Sequence, residues 1–344
     1  MEIGVGLDAR LNLPVEETAR LTREAAELGY TSAWTPASAT GLDSFHVCAR
    51  WQQTSGLSTG ISIVPVPTWT PVSLAVQAAT VAVLTGGTFI LGVGPGQVHE
   101  SGYRQQFGLP EQGPVGVMRD YMVALRGLLS GEKVTREARL FALRGVQLAV
   151  RPPRAPVYLA ALGPQMLRLA GELADGVLPN WASAEQIGWL RERVAEGARK
   201  AGRDPASVPV VQYIRVCVDE DEGAARRAFG QQVLAYAMAR PGASKEHGYR
   251  AHFARMGFGP TLDELEARRD RGATEEELID ATPDELLRKV GYYGRPDRAA
   301  RAFRRLAEGL DTAIVRVIVA RPGPEAVRVA MRALRPELVL RSED

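Results

Sequence analysis

Apolar residues along this chain fall into short runs separated by amphipathic stretches. Ile3–Leu7 reads as a buried strand; Pro14 then opens a helix whose apolar stripe, Leu21, Ala25 and Leu28, ends at Gly29. Thr31–Thr35 is a second strand, a helix runs from about Ser44, and Leu57–Val64 is a third strand. A long helix over Pro71–Leu84 leads to a fourth strand at Thr88–Val93. After a helix at Val115–Leu129, Gly131–Leu148 alternates at period two around polar turns and predicts an antiparallel excursion. Strands then recur at Val157–Ala160, Gly176–Leu178, Val208–Val218 and Thr312–Val319, interleaved with helices at Gln165–Ala174, Ala184–Ala201, Arg298–Glu308 and Pro324–Leu334. Short continuous apolar strands alternating with helices specify βαβ units and a parallel sheet buried on both faces. Eight of them predict an α/β fold of the (β/α)8 TIM-barrel type, where a doubly wound sheet needs only six. Residues 1–344 form one domain in this reading. Residues 220–291, charge-rich and mostly helical with breaks at Pro241, Pro260 and Gly272, are a helical insertion after strand seven.

Charge changes the picture locally. The 344 residues carry 42 Lys+Arg against 40 Asp+Glu, a formal net charge of +2, which argues against a general nucleic-acid binder. Cys48 and Cys217 cannot build a disulfide framework, so a reducing cytoplasm is expected. Yet Trp51 to Val98 contains no Asp, Glu, Lys or Arg, where 24% charged residues overall would place about eleven. Prolines 65, 67 and 71, Gln77 and Gly86-Gly87 interrupt this block, so no membrane span is expected; Met1–Val5 shows no secretory signal. Two strands buried on both faces account for part of it. The helix over residues 72–84 lacks the charged outer face of an ordinary barrel helix, which predicts that it lies in a homodimer interface.

In a barrel the chemistry gathers at the carboxyl ends of the strands. That places Asp8, Pro36–Gly41, Val64–Trp69, Gly94–His99, Leu162–Gln165, Asn180-Trp181 and Tyr213–Arg215 at the candidate site. Gly92-Val93-Gly94-Pro95-Gly96 has GxGxG spacing rather than a dinucleotide fingerprint, and Glu100–Pro114 reads as opening no helix, so nicotinamide binding on a Rossmann unit is not expected. Its glycines either make a tight turn or let a flat ligand approach the backbone. At Gly163-Pro164 a strand passes directly into a helix, whose free amides suit an anion as well as they suit a plain turn. His247 and His252 miss the i, i+4 spacing of a ligand pair, and no metal site is expected. His46 reads as a surface histidine, and Glu172 and Asp175 as caps or ion-pair partners. No GxSxG elbow appears. Trp34, Trp69 and Trp181 fall near strand ends, as core filling or as a wall for a planar heterocycle.

Several stretches together resemble the bacterial luciferase-like superfamily of flavin- and deazaflavin-dependent oxidoreductases: Ala26–Trp34 (AELGYTSAW), Leu57–Val66 (LSTGISIVPV), Leu84–Gly94 (LTGGTFILGVG), Leu159–Trp181 (LAALGPQMLRLAGELADGVLPNW) and Gly309–Val315 (GLDTAIV). The resemblance covers nearly the whole chain and is nearest to the branch using coenzyme F420, a deazaflavin hydride carrier. It implies hydride transfer between F420 and a carbonyl, imine or activated C=C of a small organic substrate. The alternatives are an FMN-dependent monooxygenase served by a separate flavin reductase and, from another class, a cofactor-free structural or regulatory homologue. It further implies a non-prolyl cis peptide in strand three, at Gly60–Ile61, behind the cofactor ring. Gly94, Gly96 and Gln97 would stand at the ring, Leu162, Gly163, Pro164, Gln165 and Met166 would bind the phosphate of its tail, and Asn180 and Trp181 would border that tail. The usual Asp-His after the strand-two Trp is replaced by Ala37 and Ser38, and a reductase-type Glu by Gln97, which carries no acidic proton. His99, Tyr103 or Asp8 are left as candidates for any proton transfer.

Overall fold

The computed structural model describes residues 1–38, 40–98 and 100–341. Eleven strands are present among them: β1 (Glu2–Gly6), β2 (Ser32–Thr35), β3 (Ser58–Pro65), β4 (Phe89–Gly94), β5 (Val134–Glu137), β6 (Ala142–Val146), β7 (Val157–Ala160), β8 (Gly176–Leu178), β9 (Val211–Val218), β10 (Gly291–Gly294) and β11 (Thr312–Ile318). The main sheet runs β10-β9-β11-β1-β2-β3-β4-β7-β8, and its pairings are all parallel. Bridges Val177–Val210 and Asn180–Tyr213 join β8 to β9, and the Gln212 amide clamps the Ala182 backbone from both sides at 3.0 and 3.1 Å. The sheet is thereby closed into the expected eight-stranded barrel, made of β1, β2, β3, β4, β7, β8, β9 and β11. The antiparallel pair β5–β6 is the excursion read from the period-two pattern.

Size complementarity fills the barrel. Trp34, Tyr158, Leu178, Val211, Tyr213 and Ile314 form its inner cluster. Opposite these large residues β1 and β3 must be bare: a Cβ on Gly60 would sit 2.3 Å from the Trp34 ring, and one on Gly6 2.8 Å from the Tyr213 ring. The outer shell packs apolar helix stripes against the other strand faces, as the 3.6-residue period requires.

Two expectations are corrected. The non-prolyl cis peptide joins Ser62 and Ile63, two residues beyond Gly60–Ile61, where the β3–β4 register shifts between Ile61 and Val64. Glu100–Pro114 does open a helix, Ser101–Phe107, which Gly108 ends at φ +63. It starts five residues after Gly96, so the glycines are still not a dinucleotide turn. Residues 220–290 are mostly helical, ending in the helix Asp284–Val290, and β10, not read from the sequence, then adds to β9 at Arg215–Val218, just past the point where β8 leaves that edge. No helix among the described residues is long and apolar enough to cross a membrane.

Candidate active site at the barrel mouth

Strand alternation carries the inward row of each strand up to the mouth. Two residues beyond the Gly6, Tyr213 and Ile314 layer come Asp8, Arg215 and Arg316. Arg215 and Arg316 are register partners on β9 and β11, so both guanidinium groups enter the same layer. Across from them the floor is small and apolar: a Cβ on Gly94 would touch the Ile63 side chain at 3.0 Å and Ala160 at 3.1 Å. One half of the mouth is therefore a low apolar platform and the other half is cationic.

The cationic half is buried. Arg316 and Asp8 form an ion pair with both side chains 7% exposed, and the Arg316 guanidinium lies 4.5 Å from the centre of the Tyr213 ring. Burial works against the charge on Arg316, but Asp8 and the neighbouring phenols outweigh it and hold its pKa above the ordinary value. Asp8 also accepts the Arg10 amide at 2.8 Å, which fixes it in place at the start of the turn Ala9–Leu11.

Arg215 has no such partner. It donates to Asn180 Oδ1 at 2.7 Å and stacks 3.8 Å over Trp181, with Tyr236 at 5.1 Å; no carboxylate pairs with it among the described residues. Burial first, and Arg316 second, push its pKa down to about 10. Asn180 is itself oriented, donating to Tyr249 Oη at 2.7 Å. Trp181 takes a left-handed backbone, φ +60, unusual for a bulky residue and costing on the order of 1–3 kcal/mol. Phe229, Tyr236 and Phe253 of the insertion surround its ring. Burial opposes ionisation of Tyr236, yet Arg215, Arg10 and Arg316 hold its phenol below the ordinary tyrosine value.

The apolar half continues into an anion-favouring rim. Helix Pro164–Leu173 starts at Gly163 with no side-chain cap, leaving its first amides without intrahelical partners. A Cβ on Gly163 would meet nothing within 4 Å, and Arg255, from the insertion, donates to the Leu162 carbonyl at 3.2 Å. Pro164 and Gln165 are exposed here, and Met166 is buried beneath them.

The structure brings some sequence candidates together and separates others. Asp8, Gly94 and Asn180 line one mouth. The Tyr103 hydroxyl would touch a Cβ on Gly96, at 3.1 Å, and burial raises its pKa. His99 lies outside the described residues. Gln97 is on an exposed turn. Gly60 and Ile61 sit in regular β3 below the mouth. Trp181 is 1% exposed, beneath Arg215 and the insertion. Trp34 fills the barrel, and Trp69 packs edge-on against Phe45. His46 is exposed beside Asp43, Glu172 pairs with Arg119, and Asp175 accepts the Val157 amide at 2.8 Å. No cluster able to hold a metal occurs among the described residues.

Arg316, Tyr236, Tyr249 and Arg255 were not singled out from sequence. A charged residue inside TAIVRVI, as inside VQYIRVCV, is the signal that marks the two strand arginines. The tyrosines and Arg255 have no comparable mark, since their role depends on how the insertion folds back.

A barrel of this topology with its polar groups at the mouth is the architecture of the luciferase-like monooxygenase family, whose model matches residues 1–313. The chain belongs to that family, a family of enzymes. It is 27% identical over 329 residues to 5,10-methylenetetrahydromethanopterin reductase of Methanolobus tindarius, covering 95% of this chain and 96% of that one. It is 28% identical over 320 residues to a putative coenzyme F420-dependent oxidoreductase of Mycobacterium tuberculosis, covering 86% and 90%. Among solved structures, the coenzyme F420-dependent tetrahydromethanopterin reductase of Methanopyrus kandleri superposes with a TM-score of 0.79 at 22% identity, over 98% of this chain and 99% of that one, which is a likeness of fold.

Proposed function

We propose that this protein is a coenzyme F420-dependent oxidoreductase that moves hydride between the deazaflavin and a carbonyl, imine or activated C=C of a small organic molecule. The observation that carries the reading is similarity along nearly the full chain to a putative F420-dependent oxidoreductase. The residues present fit such a cofactor. Gly94, Ala160 and Ile63 pack into a small apolar floor against which a flat ring would lie, and the space over Gly163, the uncapped amides of Gln165 and Met166 and the Arg255 guanidinium suit a phosphate on its tail. When bound, the deazaflavin supplies the hydride chemistry.

The chain's own contribution is position and charge. The platform holds a ring flat, while Asn180, Arg215 and Arg316 face the space a substrate would share with it. Hydride addition to a carbonyl carbon also requires a proton at the oxygen. Asp8, locked to Arg316, is placed to compensate that guanidinium's charge rather than to reach a substrate. Tyr236 is the better acid, because the surrounding arginines stabilise its phenolate. The family name keeps an FMN-dependent monooxygenase as the competing reading. Fluorescence titration with F420 and FMN separates the two: tighter F420 binding with no oxygen uptake is expected, whereas preference for FMN together with oxygen consumption would overturn the proposal. We also propose a cytoplasmic homodimer built on the helix Pro71–Leu84.

A further inference from the structure

We propose that Arg215 and Arg316 form a subsite for a carboxylate carried by the substrate, so that the enzyme acts on a small organic acid. The inference rests on the F420 reading for the reaction, but on this chain's own geometry for the ligand.

Two guanidinium groups lie in one buried layer, and a single carboxylate, Asp8, accompanies them. The layer therefore carries one uncompensated positive charge. Arg215 is the side chain left with it, 2% exposed and held by the Asn180 amide oxygen, the Trp181 face and Tyr236, with no carboxylate paired to it among the described residues. A buried charge without a counter-ion is strongly disfavoured unless a ligand completes it. The immediate setting is also made rigid. Trp181 supports the guanidinium from one side, Asn180 is fixed by Tyr249, and Arg316 is fixed by Asp8. Such rigidity keeps a planar donor fork in place to receive a planar acceptor.

The size of the charge selects the ligand class. A monovalent carboxylate brings the layer to neutrality; a phosphate dianion would leave one negative charge in a mouth otherwise lined by Ile63, Gly94, Ala160 and aromatic rings. The other exposed cation nearby, Arg10, already donates to Gln232 Oε1 at 2.5 Å and lies at the surface. Ionised Tyr236 would be a rival source of the missing negative charge, and the test below separates the two.

The experiment is isothermal titration of the full-length protein, without cofactor, with benzoate, benzamide and methyl phosphate as probes. Benzoate is expected to bind at least tenfold tighter than benzamide and than methyl phosphate. Arg215→Gln should abolish that preference and Arg215→Lys should keep part of it, both with unchanged circular dichroism. Equal binding of benzoate and benzamide by the wild-type protein would overturn the proposal, as would a preference for methyl phosphate; both results come from the wild type and need no variant to fold. Tyr236→Phe distinguishes the rival: if benzoate preference appears only in that variant, the phenolate is the native counter-ion and the subsite is rejected. F420 affinity, measured separately by fluorescence, should change less than twofold in Arg215→Gln. Failure of F420 to bind while benzoate selectivity persists would remove the redox reading and leave the acid subsite standing.

Discussion

His252 shows how one side chain ties the insertion to the barrel. It is fully buried, its Nε2 faces the Trp181 carbonyl at 3.2 Å, and its Nδ1 has no partner. Burial first, and the nearby Arg255 second, lower its pKa from 6.5 to about 4. The folded protein thus keeps a neutral imidazole at pH values where the unfolded chain has already taken up a proton. Stability is unaffected above pH 6.5 and falls as the pH drops from there toward 4, by about 3 kcal/mol from this residue alone. Urea denaturation at pH 7 and pH 4.5 is expected to show that loss in the wild type. His252→Gln should be less stable at pH 7 but lose correspondingly less on acidification; an equal loss in both would assign the acid sensitivity elsewhere. Because His252 touches Trp181, which carries Arg215, the mouth should loosen over the same range.

At the scale of elements, the rim built by helix Pro164–Leu173 and the insertion makes a specific demand. Arg255 is the cation beside that helix's uncapped start. Arg255→Met is expected to weaken F420 binding about tenfold, roughly one charge-assisted hydrogen bond. Added salt should then reduce wild-type affinity more than that of the variant. Unchanged affinity and salt dependence would place the tail elsewhere. Helix starts such as Gly163-Pro164 were legible in the sequence because the chemistry is local, and the eight barrel strands were legible because burial on both faces excludes charge from most positions. Three elements were not. The irregularity in β3 falls within STGISIV, where every position is small or β-branched and nothing marks one register over another. Helix Ser101–Phe107 is only seven residues long, has no side-chain cap and sits among glycines and prolines. Strand β10, GYYG, exists only because β9 has a free edge there. The site divides the same way: Asp8 and Arg215 were placed by strand ends, whereas the Arg215–Arg316 layer joins residues about one hundred apart through β-register alone. Tyr236 and Tyr249 reach it only after the insertion folds over.

For the whole molecule, the charge-free block from Trp51 to Val98 leaves a surface that a single chain does not cover. Helix Pro71–Leu84 buries Leu74, Ala75, Ala78, Ala79, Val81 and Ala82 against the barrel. Its other side is uncharged: Val76, Val83 and Leu84 are 47%, 49% and 55% exposed, with Ser73 and Thr80 exposed between them. One chain alone therefore does not bury this helix on every side. Val123, on the neighbouring helix Pro114–Leu129, adds a further exposed apolar group. A barrel-helix face without a single charge and with several exposed apolar side chains suits an interface better than free surface. A second copy of the chain would offer the same patch, as a two-fold interface requires. Sedimentation velocity at micromolar concentration is expected to show a dimer. The double substitution Val76→Glu and Val83→Glu places a carboxylate at two points of that patch in each protomer, four across a two-fold contact, and like charges held together there would repel. That variant should sediment as a monomer with unchanged circular dichroism, because both side chains point away from the barrel core. A wild-type protein that sediments as a monomer would reject the interface.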